Sequence, residues 1–278
     1  MNTTNNKKYD LAVVYRIYPK VSSHKPPVFA DDKLKLGRLC FESFKASLGD
    51  LKVKLWVLLD NCPPIYEEMF SGLWPAEDLV LERLPGVGDA TTFRRQATIL
   101  MEQTDADIVY LAEDDYYYLP NQFPQAVNFL KQNPDADFVS LYDHPDLYNT
   151  ALHKIPHVER KADGKTWRRC MSTTHTFMTR RDTLRKCDGV FLASYGKISP
   201  DLSKWMALTK CRVYNPVFFT QSVFTCPFWA ASVFFAWRYL WRQILFEPKY
   251  TLWIPQPTLS THMVAGMEAP GVDWENFF

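Results

Sequence analysis

The sequence predicts an α/β domain in which a mostly parallel sheet is covered by helices on both faces. Three observations lead there. Short apolar runs alternate with amphipathic stretches through residue 142. The runs are rich in β-branched and aromatic residues, as buried strands are. An acidic triplet follows directly on the fourth run, the position where open α/β sheets bind ligands.

The elements follow in order. Leu11–Tyr18 is a buried strand stopped by Pro19. Asp31 and Asp32 precede a helix marked by Leu34, Leu39, Phe41 and Phe44, which ends near Gly49. Val53–Leu59 is a second strand, ending in Asp60-Asn61-Cys62-Pro63-Pro64, and Ile65–Phe70 a short helix. Leu79–Leu84 is a third strand. After Pro85-Gly86-Val87-Gly88-Asp89 comes a helix through Phe93, Ala97 and Leu100. Asp107–Ala112 is a fourth strand running into Glu113-Asp114-Asp115, and a helix over Phe123–Lys131 leads to a strand over Phe138–Tyr142. The alternation then fades, so a mixed C-terminal extension of the sheet is expected.

Composition narrows the function. The chain has 278 residues, 32 Lys+Arg against 31 Asp+Glu, a net charge of +1 and 15% aromatic residues. A chain this apolar and this near neutral folds. Balanced charge exerts no long-range pull on a phosphate backbone, so no nucleic-acid partner is expected. With 10 Gly and 6 Cys, fibrous and disulfide-scaffold classes are excluded. Met1 to Lys8 is polar, and no secretory signal peptide is expected. The cysteines form no C-x-x-C and no close pair, which favours reduced thiols. The expected location is the cytoplasm, with the inner face of a membrane as an option.

The aromatic excess concentrates late. Val213 to Trp237 carries no charged residue, a length that can span a bilayer. Asn215, Pro216, Thr220, Gln221 and Pro227 interrupt it and count against a span. The plain reading is a buried strand or loop followed by a core helix. The sharper reading is an aromatic helix starting at Pro227, with Arg238 and Arg242 sharing a face. Trp229, Trp237, Tyr239 and Trp241 would then make residues 217–246 a peripheral membrane contact.

Three consecutive carboxylates repel one another unless a cation or hydrogen-bond donors balance them. Glu113, Asp114 and Asp115 suit a hard divalent ion bridging phosphates, which needs one or two carboxylates; a solvated acidic turn is the alternative. Arg94 and Arg95 open a helix, where they would face an anion or form a solvated basic turn. Asp60 suits turn capping as well as ligand contact.

Asp107-Ile-Val-Tyr-Leu-Ala-Glu-Asp-Asp115, followed by Leu119-Pro120, resembles the metal-binding DxD region of GT-A fold glycosyltransferases. Its Glu-Asp-Asp form is similar to that of the eukaryotic N-glycan N-acetylglucosaminyltransferases. The resemblance implies that Asp115 holds Mn2+ or Mg2+ at the donor diphosphate, with Glu113 and Asp114 as donor contacts. Tyr15 and Arg16 on the first strand match the place where such enzymes seat the nucleotide, and Asp60 the acid that reads the nucleobase. Gly88–Gln96, containing Arg94 and Arg95, resembles the segment that contacts ribose and diphosphate. Pro257-Thr258-Leu259-Ser260-Thr261-His262 resembles a P-x-L-x-x-H segment, whose His262 would complete the metal site. The partners implied are a UDP-, GDP-, CDP- or dTDP-sugar and a glycan or lipid-linked acceptor. A single GT-A-like domain is expected, with a nucleotide-sugar half (9–142), an acceptor half (143–210) and an aromatic extension (211–278).

Inverting members use a carboxylate to deprotonate the acceptor hydroxyl. Ser199-Pro200-Asp201-Leu202 is the best match, with Asp201 as the base or, equally, as a helix cap. Asp143 and Asp146 are reserves. His175 lies in a Thr-rich, aromatic stretch and reads as a sheet histidine or a ligand contact. Two rival functions are a nucleotidyltransferase and a non-enzymatic metal- and glycan- or membrane-binding protein. The first would carry a Gly-rich basic loop after the first strand, and Tyr18–Pro27 contains no Gly.

Overall fold

The computed structural model describes residues 8–21, 24–194 and 201–278. Its first half alternates as expected: β1 (Leu11–Ile17), α1 (Lys33–Ser47), β2 (Val53–Asp60), α2 (Pro64–Leu73), β3 (Leu79–Leu84), α3 (Asp89–Glu102) and β4 (Ile108–Glu113). These strands pair in parallel in the order β3-β2-β1-β4. The chain moves outward from β1 to β3 and then crosses back to β4. A crevice therefore opens between the carboxyl ends of β1 and β4, the switch point at which such sheets take ligands.

The second half contributes β5 (Tyr116–Tyr118), α4 (Phe123–Gln132), β6 (Phe138–Val139), α5 (Asp146–Asn149), β7 (Glu159–Ala162), β8 (Lys165–Cys170) and β9 (Phe177–Arg180). Then come α6 (Arg181–Lys186), α7 (Asp188–Ser194), α8 (Asp201–Thr209), α9 (Pro216–Thr225), α10 (Pro227–Leu245), β10 (Leu252–Gln256) and β11 (Ser260–His262). β9 runs antiparallel to both β4 and β6, and β8 runs antiparallel to β10 and β7. The mixed continuation of the sheet is thus as expected. β10 lies between β6 and β8 inside the nine-stranded sheet, and β11 pairs with β5 in a separate two-stranded sheet. The expected strand over Phe138–Tyr142 is shorter, because Leu141 and Tyr142 leave the sheet to meet Leu259 and Ser260.

Alternation along the strands separates two cores. Leu11, Val13, Tyr15 and Ile17 face α1, α2 and α4, where Tyr15 packs edge-on against Phe41 at 5.4 Å and Phe70 at 5.7 Å. Such aromatic pairs each add about 0.5–1.5 kcal/mol beyond area burial. Ala12 and Val14 face the opposite layer, with Phe93 of α3 and Trp205 of α8.

The late aromatic segment departs from its plain reading. Residues 216–225 form a helix rather than a strand or loop, started by Asn215, whose side chain accepts from the Phe218 backbone N–H. α10 buries only one face, through Val233, Ala236, Leu240 and Ile244. Among the described residues, no helix is long and apolar enough to cross a membrane.

Candidate active site

Arg16 and Glu113 are register partners at the ends of β1 and β4. The alternation that turns Tyr15 into one core turns Arg16 toward α3. Its buried guanidinium contacts Glu113 and Asp89 and lies 3.4 Å from both Thr92 Oγ1 and His175 Nδ1. Thr176 donates to the other Glu113 oxygen at 2.6 Å. Burial works against the charge on Arg16, but Glu113 and Asp89 overcome it and raise its pKa.

Lys33 opens α1 with its side chain 8% exposed, and its Nζ lies 2.9 Å from Asp114 Oδ2. Asp114 also accepts from the Tyr18 backbone N–H at 3.1 Å. Burial raises the Asp114 pKa, and Lys33 offsets only part of that. Asp115 is reached from the other end of the chain. β11 pairs antiparallel with β5, setting His262 opposite Tyr116, and the two rings stack at 4.8 Å. His262 Nε2 thereby comes 3.1 Å from Asp115 Oδ2. Burial alone would raise the Asp115 pKa, but His262, with help from Lys33 and Arg16, brings it down to about 2.

These groups line a cavity of about 420 Å3 at the switch point, walled by Arg16, Lys33, Asp60, Gly88, Asp114 and Asp115 among others. Its size suits a small-molecule site. Asp60 is buried, and its carboxylate accepts from the backbone N–H groups of Gly86, Val87 and Gly88. It therefore shapes the loop that launches α3. Gly88 there has φ +82 and ψ 173, a conformation essentially restricted to glycine.

A second cavity of about 300 Å3 lies beside the first and is lined by His144, Asp146, Asp201, Phe228, Trp229 and His262 among others. Asp201, at the start of α8, sits 2.6 Å from His175 Nε2 and 3.3 Å from the fully buried Lys204 Nζ. Burial would raise its pKa, yet Lys204 and His175 drive it far below the usual carboxylate range. Among the described residues the linings of the two cavities meet at Asp115–His262, 3.1 Å apart, and the His175 ring bridges Arg16 of the first to Asp201 of the second.

Not every expected residue joins them. Tyr15 is fully buried in the opposite core, since consecutive strand residues cannot face one cavity. Arg95 turns to the surface and pairs with Glu82 at 2.7 Å, and exposed Arg94 lies outside the residues that line the cavity. Of the reserves, Asp146 lines the second cavity, while Asp143 is buried against Arg168 and Tyr148. Ser199 and Pro200, part of the Asp201 match, lie outside the described residues. Lys33 and Lys204 were missed. A cation at a helix N-terminus opposes the helix dipole, and for Lys33 that misplacement is a readable signal.

Two places can be weighed for a divalent ion. Ligand atoms of Asp89, Glu113 and His175 lie within 4.8 Å of one another, but the Arg16 guanidinium already bridges them. Asp115 fits better: its Oδ1 is buried and has no hydrogen-bond partner among the described residues, and His262 stands beside it. One carboxylate and one imidazole leave room for the phosphate oxygens and waters that Mg2+ or Mn2+ prefers.

No protein-family model matches the sequence, and no curated protein does. Among solved structures, the chain is similar to S. aureus TarS residues 1–349, with a TM-score of 0.45 and 12% identity over 66% of this chain and 54% of that one. The same fragment in complex with UDP-GlcNAc gives 0.43 and 13%, over 66% and 52%. CMP:2-keto-3-deoxy-manno-octonic acid synthetase complexed with CTP gives 0.40 and 13%, over 74% and 85%. The match spans about half the length of the TarS fragment.

Proposed function

We propose that this chain is a metal-dependent glycosyltransferase that moves a sugar, with inversion, from a nucleoside-diphosphate donor to a hydroxyl of a glycan or lipid-linked acceptor. One observation carries the reading. A cavity with acids and cations at the sheet's switch point adjoins a second cavity lined by Asp201, and among the described residues their linings meet at Asp115–His262, 3.1 Å apart.

In this reading the first cavity takes the donor. Arg16 and Lys33 face its diphosphate, and the Asp60-braced loop seats the nucleoside. Asp115 and His262 would hold Mn2+ or Mg2+, which supplies charge neutralisation at the leaving diphosphate. The second cavity takes the acceptor and presents its hydroxyl to the anomeric carbon. The new C–O bond forms as the bond to the diphosphate breaks, the hydroxyl proton passes to Asp201, and the electron pair leaves on the nucleoside diphosphate. His175 and Lys204 keep Asp201 anionic and make it a weak base, which suits a proton transfer that follows C–O bond formation. Holding both reactants in adjoining cavities supplies orientation.

Thermal shift and calorimetry with UDP, GDP, CDP and dTDP, each with and without Mn2+, test the reading. At least one nucleotide should stabilise the chain only when the metal is present. Stabilisation by none of them overturns it. Incubation of the preferred nucleotide-sugar with acceptors then separates the two transfer chemistries: release of nucleoside diphosphate supports glycosyl transfer, whereas pyrophosphate released from a nucleoside triphosphate indicates nucleotidyl transfer.

A further inference from the structure

α9 and α10 form a hairpin with one face packed on the core and the other turned away from it. The outer face is strongly apolar. Phe224, at the turn, is 87% exposed, and Phe228, Phe234, Trp241 and Leu245 are also exposed. Residues three or four apart on a helix share a face; Phe234 and Arg238 share one before the kink at Leu240, and Arg242 and Leu245 share one after it, all four being exposed. The Arg238 guanidinium lies over the Tyr239 ring at 5.4 Å.

The charge pattern identifies the occupant. From Val213 to Phe246 the charged residues are Arg238 and Arg242, with no Asp or Glu. Neither Arg238 nor Arg242 has a carboxylate within ion-pairing distance among the described residues, although both are exposed. A second copy docking this face on itself would set the arginines of two chains against each other without a counter-ion, because a two-fold interface repeats the same patch. An anionic lipid surface matches both properties, the aromatic side chains entering the interface and the arginines meeting headgroup phosphates.

We infer that the outer face of α9 and α10 docks this protein onto anionic membranes, lying in the interface rather than crossing it. Phe228 and Trp229, at the start of α10, also line the second cavity. The docked face therefore reaches the rim of the acceptor site. On the proposed transferase reading, and only there, the acceptor hydroxyl belongs to a lipid or lipid-linked molecule presented from the membrane.

Flotation of the full chain with phosphatidylcholine vesicles, with and without phosphatidylglycerol, tests the docking. Binding is expected to the phosphatidylglycerol vesicles and to fall with salt. Arg238→Ser with Arg242→Ser should weaken it roughly fivefold for each arginine removed. Phe234→Ser with Trp241→Ser should also weaken it, while Ile65→Ser, exposed on α2, leaves it unchanged. Circular dichroism on each variant confirms folding. Absence of vesicle binding, or equal binding by all variants, overturns the inference. So does a dimer in sedimentation that Trp241→Ser dissociates without any vesicle binding by the parent. Nucleotide stabilisation measured on the same samples keeps the two proposals apart: its failure removes the acceptor assignment and leaves the docking standing.

Discussion

His262 Nε2 lies 3.1 Å from Asp115 Oδ2 across 147 positions of sequence. The contact exists because a two-stranded ribbon, β5 with β11, carries the C-terminal segment back to the acidic triplet. With its other oxygen buried and unpartnered among the described residues, Asp115 is the acid whose removal should be felt by a metal. Asp115→Ala is expected to abolish the Mn2+-dependent part of nucleotide stabilisation, and His262→Ala to weaken it by raising the Mn2+ concentration needed. Titration of Mn2+ at fixed nucleotide checks both. An unchanged response in Asp115→Ala would move the ion to the Arg16-bridged cluster.

Arg16 has the opposite character, a cation locked between carboxylates. Its side chain is 10% exposed and that of Glu113 19%. Removing one member of a buried pair leaves the other uncompensated and costs about 3–5 kcal/mol, whereas replacing both with apolar side chains costs far less. Arg16→Met should therefore unfold at markedly lower denaturant, and adding Glu113→Met should recover much of the loss. Chemical denaturation of the single and double variants measures this coupling. Additive losses would show that the two side chains act independently.

Much of the fold was legible in sequence, and the failures have definite causes. The alternating apolar runs located β1 to β4 and α1 to α4 to within a few residues, because buried strands and amphipathic helices leave unmistakable periods. β5, β10 and β11 were not separated out, since short strands take their identity from partners distant in sequence. The acidic triplet and His262 came together where the motif order placed them. Tyr15 was assigned with Arg16 as a pair, although strand alternation forbids both from facing one cavity. Arg95 has a nearer carboxylate, Glu82, on the neighbouring β3, and a local ion pair of this kind is invisible to a linear reading. The outward aromatic face of α10 was half legible: its helical spacing could be read, but which side would be covered depended on α8 and α9, whose packing only the folded chain shows.

Asp201 offers a sharper separation of roles. Lys204, with 0% exposure, has Asp201 as an ion-pair partner at 3.3 Å, and the same oxygen meets His175. Asp201→Asn keeps the shape and an acceptor oxygen but removes the charge. Nucleotide affinity should survive, the turnover number should fall about 10²–10⁴-fold, and unfolding should become easier by about 1–3 kcal/mol as a charged hydrogen bond is lost. Calorimetry and initial rates on one preparation test the split. Turnover within a few-fold of the parent would remove Asp201 as the proton acceptor and turn attention to Asp146 in the same cavity.

His144 and His153 make stability depend on pH in a predictable direction. Their rings meet edge to face at 5.0 Å. Burial lowers His144 to about 4 and His153 to about 3, against about 6.5 in an unfolded chain. Between these limits the unfolded chain binds more protons, so stability rises with pH. It is fully present above 6.5 and is lost as the pH falls through the window toward 4. Each histidine should account for about 2 kcal/mol between pH 7 and pH 5. Asp115, held down to about 2, loses its contribution only below the ordinary Asp range, so it does not confuse this window. His262, whose pKa is raised chiefly by Asp115 against the effect of burial, acts in the opposite sense. A difference measurement cancels it. Denaturation of the parent and of His153→Gln at pH 7 and pH 5 should show a smaller acid loss in the variant by about 2 kcal/mol, whatever the variant's absolute stability. Equal losses in the two proteins would mean that His153 is already protonated in the folded chain.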